Sequence, residues 1–222
     1  MKIIIPEIDH VFECEGDSVC SIVIENQQVF FNIISDLYKQ RQGEDGQAVL
    51  SDCNKSISIE KHTEIISQFI PFDMNPKSLV SKINSRMQEL SMDDVHYMKT
   101  NELVAEWERY LMDLSLGLIG NFEFSKVSGE SLIKAAGIKI DALYDSLGEQ
   151  LLDYFELVEE YDRKKLFVLV NLRSYLSDQE ISIFISQILQ RSIQIMLLES
   201  SEHPIVEGER RYILDKDKRL IC

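Results

Sequence analysis

The fold is decided by the stretch KKLFVLVNLRSYLSDQEISIFISQILQRSIQIMLLE, residues 164–199. Its first apolar run, 166–170, has two lysines before it and Asn171 after it, which is typical of a buried strand. Residues 176–188 have a helix start followed by helical apolar spacing, and a second apolar run occupies 193–198. Strand, helix and strand of these lengths predict a βαβ unit in a parallel sheet covered by helices.

The predicted unit resembles the sheet of nucleotide hydrolases, but the sequences that bind phosphate are missing. The chain contains neither GxxxxGK[ST] nor GxGxxG, the glycine-rich sequences whose backbone surrounds phosphates. The segment KVSGES, 126–131, follows no predicted strand. The first strand ends in Asn171, where an ATPase often has an acid. We therefore predict a degenerate phosphate site, no bound nucleotide and no catalytic residues.

The apolar pattern divides the chain into two regions. Residues 1–74 and 150–222 contain short strand-like runs between turn signals, whereas residues 75–149 have mostly helical spacing. A strand-rich region that is interrupted by helices is best explained by an inserted domain. The prediction is an α/β, ATPase-like (P-loop-like, degenerate) sheet domain at 1–74 and 150–222, with an α-helical insert domain at 75–149.

Individual helices can be predicted around this insert. Residues 62–69 are predicted to form a short helix that ends before Pro71. Asn75 is predicted to cap a helix that begins with Pro76. A longer helix over 100–118 is predicted to turn its apolar side inward, and that side comprises Leu103, Val104, Trp107, Tyr110, Leu111 and Leu114.

Composition restricts the class of protein. With 222 residues, 45% of them hydrophobic and 27% charged, the chain has the composition of a globular protein with a substantial core. No apolar run is long enough to cross a bilayer, and the start, MKIIIP, is too short for the apolar part of a signal peptide. We therefore expect a cytoplasmic protein. Without CxxC spacing, the cysteines are expected to be free thiols; they are Cys14, Cys20, Cys53 and Cys222.

The net charge of −15 argues against nucleic-acid binding when it is considered alone. Binding depends, however, on where the charges lie, and an acidic exterior is compatible with a basic inner channel. Basic residues recur in the predicted insert. They are Lys77, Lys82 and Arg86 on its first helix, and Lys126, Lys134 and Lys139 around its short third helix.

Six segments, in their order and spacing, resemble one known family. They are IPFDMN (70–75), LIKAAGIKI (132–140), KKLFVLVN (164–171), YLSDQE (175–180), LLE (197–199) and YILDKD (212–217). The family is the Csn-two (Csn2) family, the small CRISPR-associated DNA-end-binding ring proteins of type II-A systems.

This resemblance implies a function without enzymatic activity. Members of the family form homotetrameric rings whose helical regions present lysines to double-stranded DNA during spacer acquisition. The implied partners are duplex DNA, the CRISPR integrase–adaptor complex and the effector nuclease. Lys134 and Lys139 lie on the matching segment 132–140 and are the first candidates for DNA contact. The other candidates are Lys126, Lys82 and Arg86.

Calcium is a further implication of the resemblance. Family members bind calcium through acidic residues just before the segment 132–140, where this chain has Glu123 and Glu130. Calcium takes about six or more oxygen ligands. Two carboxylates are therefore too few, unless a neighbouring subunit supplies others. Two other functions remain open from the sequence, a nucleotide-binding ATPase-like protein and an acidic protein–protein scaffold that binds no nucleic acid.

Overall fold

The structure is a computed structural model that describes residues 1–141 and 143–221. The chain divides into two compact units, residues 1–73 with 142–222, called the head here, and Met74–Asp141, called the insert. The sequence-based division extended the insert to residue 149. In the structure, the helix that begins at Leu147 belongs to the head.

Strands and helices follow one another along the chain in the order expected for an interrupted α/β protein. The strands are β1 (Lys2–Ile5), β2 (His10–Glu13), β3 (Val19–Ile24), β4 (Val49–Asp52), β5 (Lys55–Ile57), β6 (Thr63–Ile66), β7 (Leu166–Val170), β8 (Gln194–Glu199), β9 (Glu209–Leu214) and β10 (Leu220–Ile221). The helices are α1 (Gln27–Arg41), α2 (Ile59–His62), α3 (Lys77–Ser91), α4 (Tyr97–Ser115), α5 (Gly129–Ala136), α6 (Leu147–Asp162) and α7 (Asp178–Arg191).

The head is built on a six-stranded sheet in the order β10-β9-β3-β8-β7-β6, in which only β10 is antiparallel to its neighbour. The predicted βαβ unit is confirmed, because β7, α7 and β8 follow one another and β7 pairs with β8 in parallel. All five residues of β7 are buried, as expected for a strand with both faces covered. A separate antiparallel sheet has the order β2-β1-β4-β5.

Local sequence explains how the unit β7–α7–β8 is formed. Ser177 caps α7 and exchanges hydrogen bonds with Glu180, a capping box that satisfies backbone N–H groups at the helix start. The helix buries Ile181, Phe184, Ile185 and Ile188, which have helical spacing. From α6, Phe155 lies 4.3 Å from Phe167 of β7, measured between ring centroids.

Two predictions near the end of the first head segment were wrong. Residues 62–69 were expected to form a helix, but Thr63–Ile66 form the edge strand β6, paired in parallel with β7. This run contains β-branched residues, whose side chains suit a pleated surface, and pairing with a buried strand outweighs their short helical spacing. Asn75 does not cap the next helix, because Pro76 occupies the N-cap position and Asn75 bonds elsewhere.

The insert consists of three helices, α3, α4 and α5, and the segments that join them. The prediction that the apolar side of α4, the longest helix, faces inward was wrong, because no residue of α4 is buried. Leu103, Trp107, Tyr110 and Leu114 are 44–52% exposed, whereas Val104 and Leu111 are partly buried. The described part of the insert thus leaves an apolar stripe on α4 uncovered.

Two further structural findings concern membranes and cysteines. Among the described residues, no helix combines the length and the apolar character needed to cross a membrane. Cys14 and Cys20 are buried free thiols, and Cys53 is an exposed one. Cys222 lies outside the described residues.

Candidate nucleic-acid interface

The insert contains a basic cleft of about 590 Å³. Three lysines line it, Lys77 at the start of α3, Lys134 on α5 and Lys139 just after α5, together with one acid, Glu130. The remaining lining is mostly uncharged and polar, and comprises Asn75, Val80, Ser81, Asn84, Ser85, Gln88 and Ile138. The cleft is therefore positive in a chain whose net charge is −15.

The two walls of the cleft follow from local sequence. On α3, the residues Lys77, Ser81, Asn84 and Gln88 recur at the spacing of one helix face. On α5, Ser128 caps the helix start and Gly137 ends the helix with a positive φ of 67°, which glycine adopts without strain. The chain then turns and places residues 138 and 139 at the cleft.

An ion pair spans one turn of α5 at the cleft. Lys134 Nζ lies 2.6 Å from Glu130 Oε1, and the side chains are 63% and 54% exposed. Exposed pairs at this spacing stabilise a helix by only about 0.3–0.5 kcal/mol. A phosphate oxygen can therefore compete with Glu130 for the Lys134 ammonium group.

The structure separates the five candidate DNA-contacting residues. Lys134 and Lys139 line the basic cleft together. A helix turns about 100° per residue, so Arg86 lies nearly opposite the cleft residues of α3 and Lys82 lies to one side of them, and neither lines the cleft. Arg86 also pairs with Glu89 at 2.8 Å. Lys126 lines a second cleft of about 490 Å³, with Glu108, Met112 and Phe122 among its neighbours.

Lys77 is the cleft residue that the predicted set omitted. The signal was present in the sequence, because the uncharged polar residues Ser81, Asn84 and Gln88 share a helical face with Lys77 and not with Lys82.

The calcium candidates do not come together within one chain. Glu130 lines the basic cleft and pairs with Lys134, whereas Glu123 lines the second cleft. In the part of the chain that the structure describes, no three His, Cys, Asp or Glu side chains are grouped so that they could hold a metal ion. Since calcium requires about six oxygens or more, the described residues of a single chain do not fit a calcium site.

In the head, a short connection joins the central strand to the helix that follows it. The central strand β3 ends at Ile24 and α1 begins at Gln27, so only Glu25 and Asn26 join them. Asn26 Oδ1 accepts hydrogen bonds from the N–H groups of Gln28 and Val29 at 3.1 and 3.2 Å. A connection of this length has no room for a glycine-rich cradle, and the capping side chain occupies the N–H groups that would bind phosphate.

Asn171 has a structural role at the end of β7. Its backbone has a positive φ of 56°, and its Oδ1 accepts a hydrogen bond from the Ser200 N–H at 2.8 Å. Its own N–H donates to the Leu198 carbonyl at 2.8 Å. The side chain thus ties the ends of β7 and β8 together.

Charged groups are also buried in the head, in the same region. The Arg173 side chain is 2% exposed and lies 3.2 Å from the Glu209 carboxylate, while the Arg173 backbone N–H donates to Glu199. Burial raises the pKa of Glu199 to about 7, although the Arg173 N–H and guanidinium act in the opposite direction. Arg173 is therefore paired with Glu209 inside the fold, while Glu199 is held by a backbone hydrogen bond.

Comparison with known proteins identifies the family. The profile of the family "CRISPR-associated protein (Cas_Csn2)" matches residues 40–218. The chain belongs to this family. A CRISPR-associated protein Csn2 of Enterococcus faecalis is 23% identical over 214 residues, 91% of each chain. The Csn2 of Streptococcus agalactiae is 23% identical over 231 residues, covering 100% of this chain and 97% of the relative.

A solved structure supports the fold. The crystal structure of Stu0660 of Streptococcus thermophilus superposes with a TM-score of 0.59, at 13% sequence identity, over 96% of this chain and 74% of that one. The fold is thus a mixed α/β fold shared with Stu0660. The ATPase-like character that was predicted for the sheet is not confirmed. The names of these relatives describe no enzymatic activity.

Proposed function

We propose that this Csn2-family chain binds double-stranded DNA at its ends, as a subunit of a closed homotetrameric ring, and acts without enzymatic activity in CRISPR spacer acquisition. The DNA is contacted by Lys77, Lys134 and Lys139, and its sequence is not distinguished, because contacts to phosphates carry no base information. Antiviral defence in the cytoplasm is the biological setting.

The observation that carries this proposal is the basic cleft in an acidic protein. Lys77, Lys134 and Lys139 come from α3, α5 and the segment after α5, yet they line one cleft with a single acid. The N-terminus of α3 lies at the same cleft, and helix N-termini favour anions. Local positive charge of this kind attracts phosphates even where the whole chain is negative.

The exposed stripe on α4 supports association of several chains. Apolar patches that a protein leaves uncovered often mark interaction surfaces. One chain of this size cannot enclose a duplex, and closed symmetric assemblies are the common form of soluble oligomers. The stripe comprises Leu103, Trp107, Tyr110 and Leu114.

The integrase–adaptor complex and the effector nuclease are the partner proteins in this proposal. A DNA-end-binding ring holds a fragment without altering it, so the chemistry of integration falls to the integrase. The chain itself hydrolyses no ATP, in keeping with the two-residue connection between β3 and α1.

The proposal is tested by light scattering and gel shift on the wild-type chain. Light scattering, in calcium and in chelator, is expected to give the mass of four chains. In the gel shift, linear duplex is expected to bind more tightly than closed-circular duplex of equal length. Affinity for the linear DNA should fall steeply as salt rises, because phosphate contacts release counterions. A monomer in both solutions, or equal affinity for circles and linear DNA, would contradict the ring.

An acidic scaffold that binds no nucleic acid is the second candidate, and the net charge of −15 favours it. The same gel shift separates the two functions. A scaffold shows no shift at low salt with either DNA, whereas the ring binds the linear form.

A further inference from the structure

The two ends of the insert are joined by the side chain of Asn75. Its Nδ2 donates a hydrogen bond to the Ile140 carbonyl at 3.0 Å, and its Oδ1 accepts one from the Ile140 N–H at 2.7 Å. The side-chain amide therefore pairs with both backbone groups of Ile140, a residue 65 positions away in sequence, much as neighbouring strands pair.

This pairing lies at the basic cleft. Asn75 itself lines the cleft, two residues before Lys77, and Ile140 directly follows Lys139. The two hydrogen bonds therefore hold the backbone beside Lys139 against the backbone beside Lys77. The separation between these lysines depends on the pairing.

The position of Lys139 needs a support of this kind. Residues 138–141 lie in neither a helix nor a strand, and Gly137 before them ends α5 in a left-handed conformation. Helical hydrogen bonds therefore do not fix this segment. The Asn75 carboxamide both donates and accepts here, whereas an ionised aspartate lacks the donor and alanine lacks both groups.

We propose that Asn75 is a positioning residue for DNA binding, which holds Lys139 where it meets a phosphate while making no base contact itself. This inference rests on the proposed function, since it concerns the same cleft. It gives a function in DNA binding to Asn75, the last residue of the segment 70–75.

The experiment combines a double-mutant cycle with hydrogen exchange on the full chain. Asn75→Ala, Lys139→Ala and the double variant are compared with wild type by gel shift on linear duplex over a range of salt. Asn101→Ala is the matched control, because its carboxamide donates a hydrogen bond to the Tyr97 carbonyl of its own helix, α4. Amide exchange at Ile140 reports the pairing directly.

Asn75→Ala is expected to weaken binding about three- to tenfold and to lower the salt slope by about one, as Lys139→Ala does. In the Lys139→Ala background, Asn75→Ala should add less than about twofold, because residues that act through one another are not additive. Exchange at Ile140 should speed up in Asn75→Ala and stay unchanged in Asn101→Ala.

Each other outcome overturns the inference. A loss that persists fully in the Lys139→Ala background means that Asn75 supports the insert in general and not Lys139. Unchanged exchange at Ile140 means that the pairing does not hold this segment in solution. Wild-type protein that binds no DNA refutes the proposed function before any variant is tested, and it removes the positioning role with it.

Discussion

The head and the insert differ in where their apolar side chains go. In the head, Phe12, Phe155, Phe167 and Phe184 are each no more than 2% exposed. Among the described residues of the insert, only Met74 and Leu79 are buried. Two helices of the insert, α3 and α4, are nonetheless as long as the long helices of the head.

This difference shows what helical spacing can and cannot establish. The spacing of apolar residues on α4 predicts a helix with an apolar side, and the structure has that helix. It does not identify what covers the apolar side. The apolar side of α7 is buried in the head's own core. In the part of the chain that the structure describes, the apolar side of α4 is not buried against other residues. A second copy of the chain is the cover that the proposed ring would provide.

The largest expected effect comes from the head's core. Phe167→Ala is expected to lower the free energy of unfolding by about 3–5 kcal/mol, because it removes a fully buried ring that packs on Phe155. Denaturant unfolding measures this loss. Phe122→Ala in the insert, where the ring is 48% exposed, is the matched control and should cost less than about 1 kcal/mol. Equal losses would mean that the insert is as tightly packed as the head.

The second effect concerns the charge that the head buries. The folded head holds the pKa of Glu199 at about 7, above the ordinary value of 4.5, so between these values the folded state binds more protons than the unfolded state. Stability should therefore fall as pH rises through this window, by at most about 3 kcal/mol, and stay level above it. Glu199→Gln keeps an acceptor for the Arg173 N–H and removes the titration.

Unfolding in denaturant at pH 5 and at pH 8 tests this expectation. Glu199→Gln should gain stability relative to wild type at pH 8 and lose that advantage at pH 5. Glu106→Gln, an exposed carboxylate of the insert, should stay within about 0.5 kcal/mol of wild type at both pH values. A difference between wild type and Glu199→Gln that does not change with pH would show that Glu199 is ionised throughout.

Much of the head could be predicted because its signals are local and agree with one another. The buried run of β7, the helix start at Ser177 and the buried run of β8 each favour one structure, and they meet in the sheet. The edge strand β6 could not be predicted in this way. Its four residues become a strand by pairing with β7, which is about 100 residues away in the chain.

The part of the candidate site that could be predicted is likewise the part whose signals are local in sequence. Lys134 and Lys139 belong to one short segment, so sequence proximity was enough to group them. Periodicity places Lys77 on the polar face of α3, but its position beside Lys134 and Lys139 depends on the packing of α3 on α5, which periodicity does not reveal. Lys82 and Arg86, which the prediction included, lie on α3 but do not line the cleft.

The third effect compares lysines of the two regions. Changing Lys134 and Lys139 together to glutamate is expected to weaken binding of linear duplex about tenfold to a hundredfold, because two attractive contacts become repulsive. The loss should shrink in high salt, where screening is stronger. Lys216 and Lys218, exposed in the head, provide the matched control, and their double reversal should change affinity by less than about threefold.

A larger loss from the head pair would place the DNA path along the head and contradict the basic cleft. Light scattering on both double variants is needed beside the gel shift. It shows whether a change in affinity follows a change in assembly, since a broken ring would weaken binding without any change in phosphate contacts.

The smallest effect compares the two capping boxes. Ser177→Ala in the head removes a cap from α7, a helix whose buried residues pack into the core. Because α7 unfolds with that core, the loss of about 1 kcal/mol should appear in the free energy of global unfolding. Ser128→Ala removes the corresponding cap from α5, a helix of eight residues with none buried. Helices this short are marginal by themselves. We therefore expect faster amide exchange at Leu132 and Ile133, and less than about 0.5 kcal/mol in global unfolding. If Ser128→Ala lowers global stability as much as Ser177→Ala does, α5 unfolds together with the head, and the contrast between the two regions does not extend to their folding.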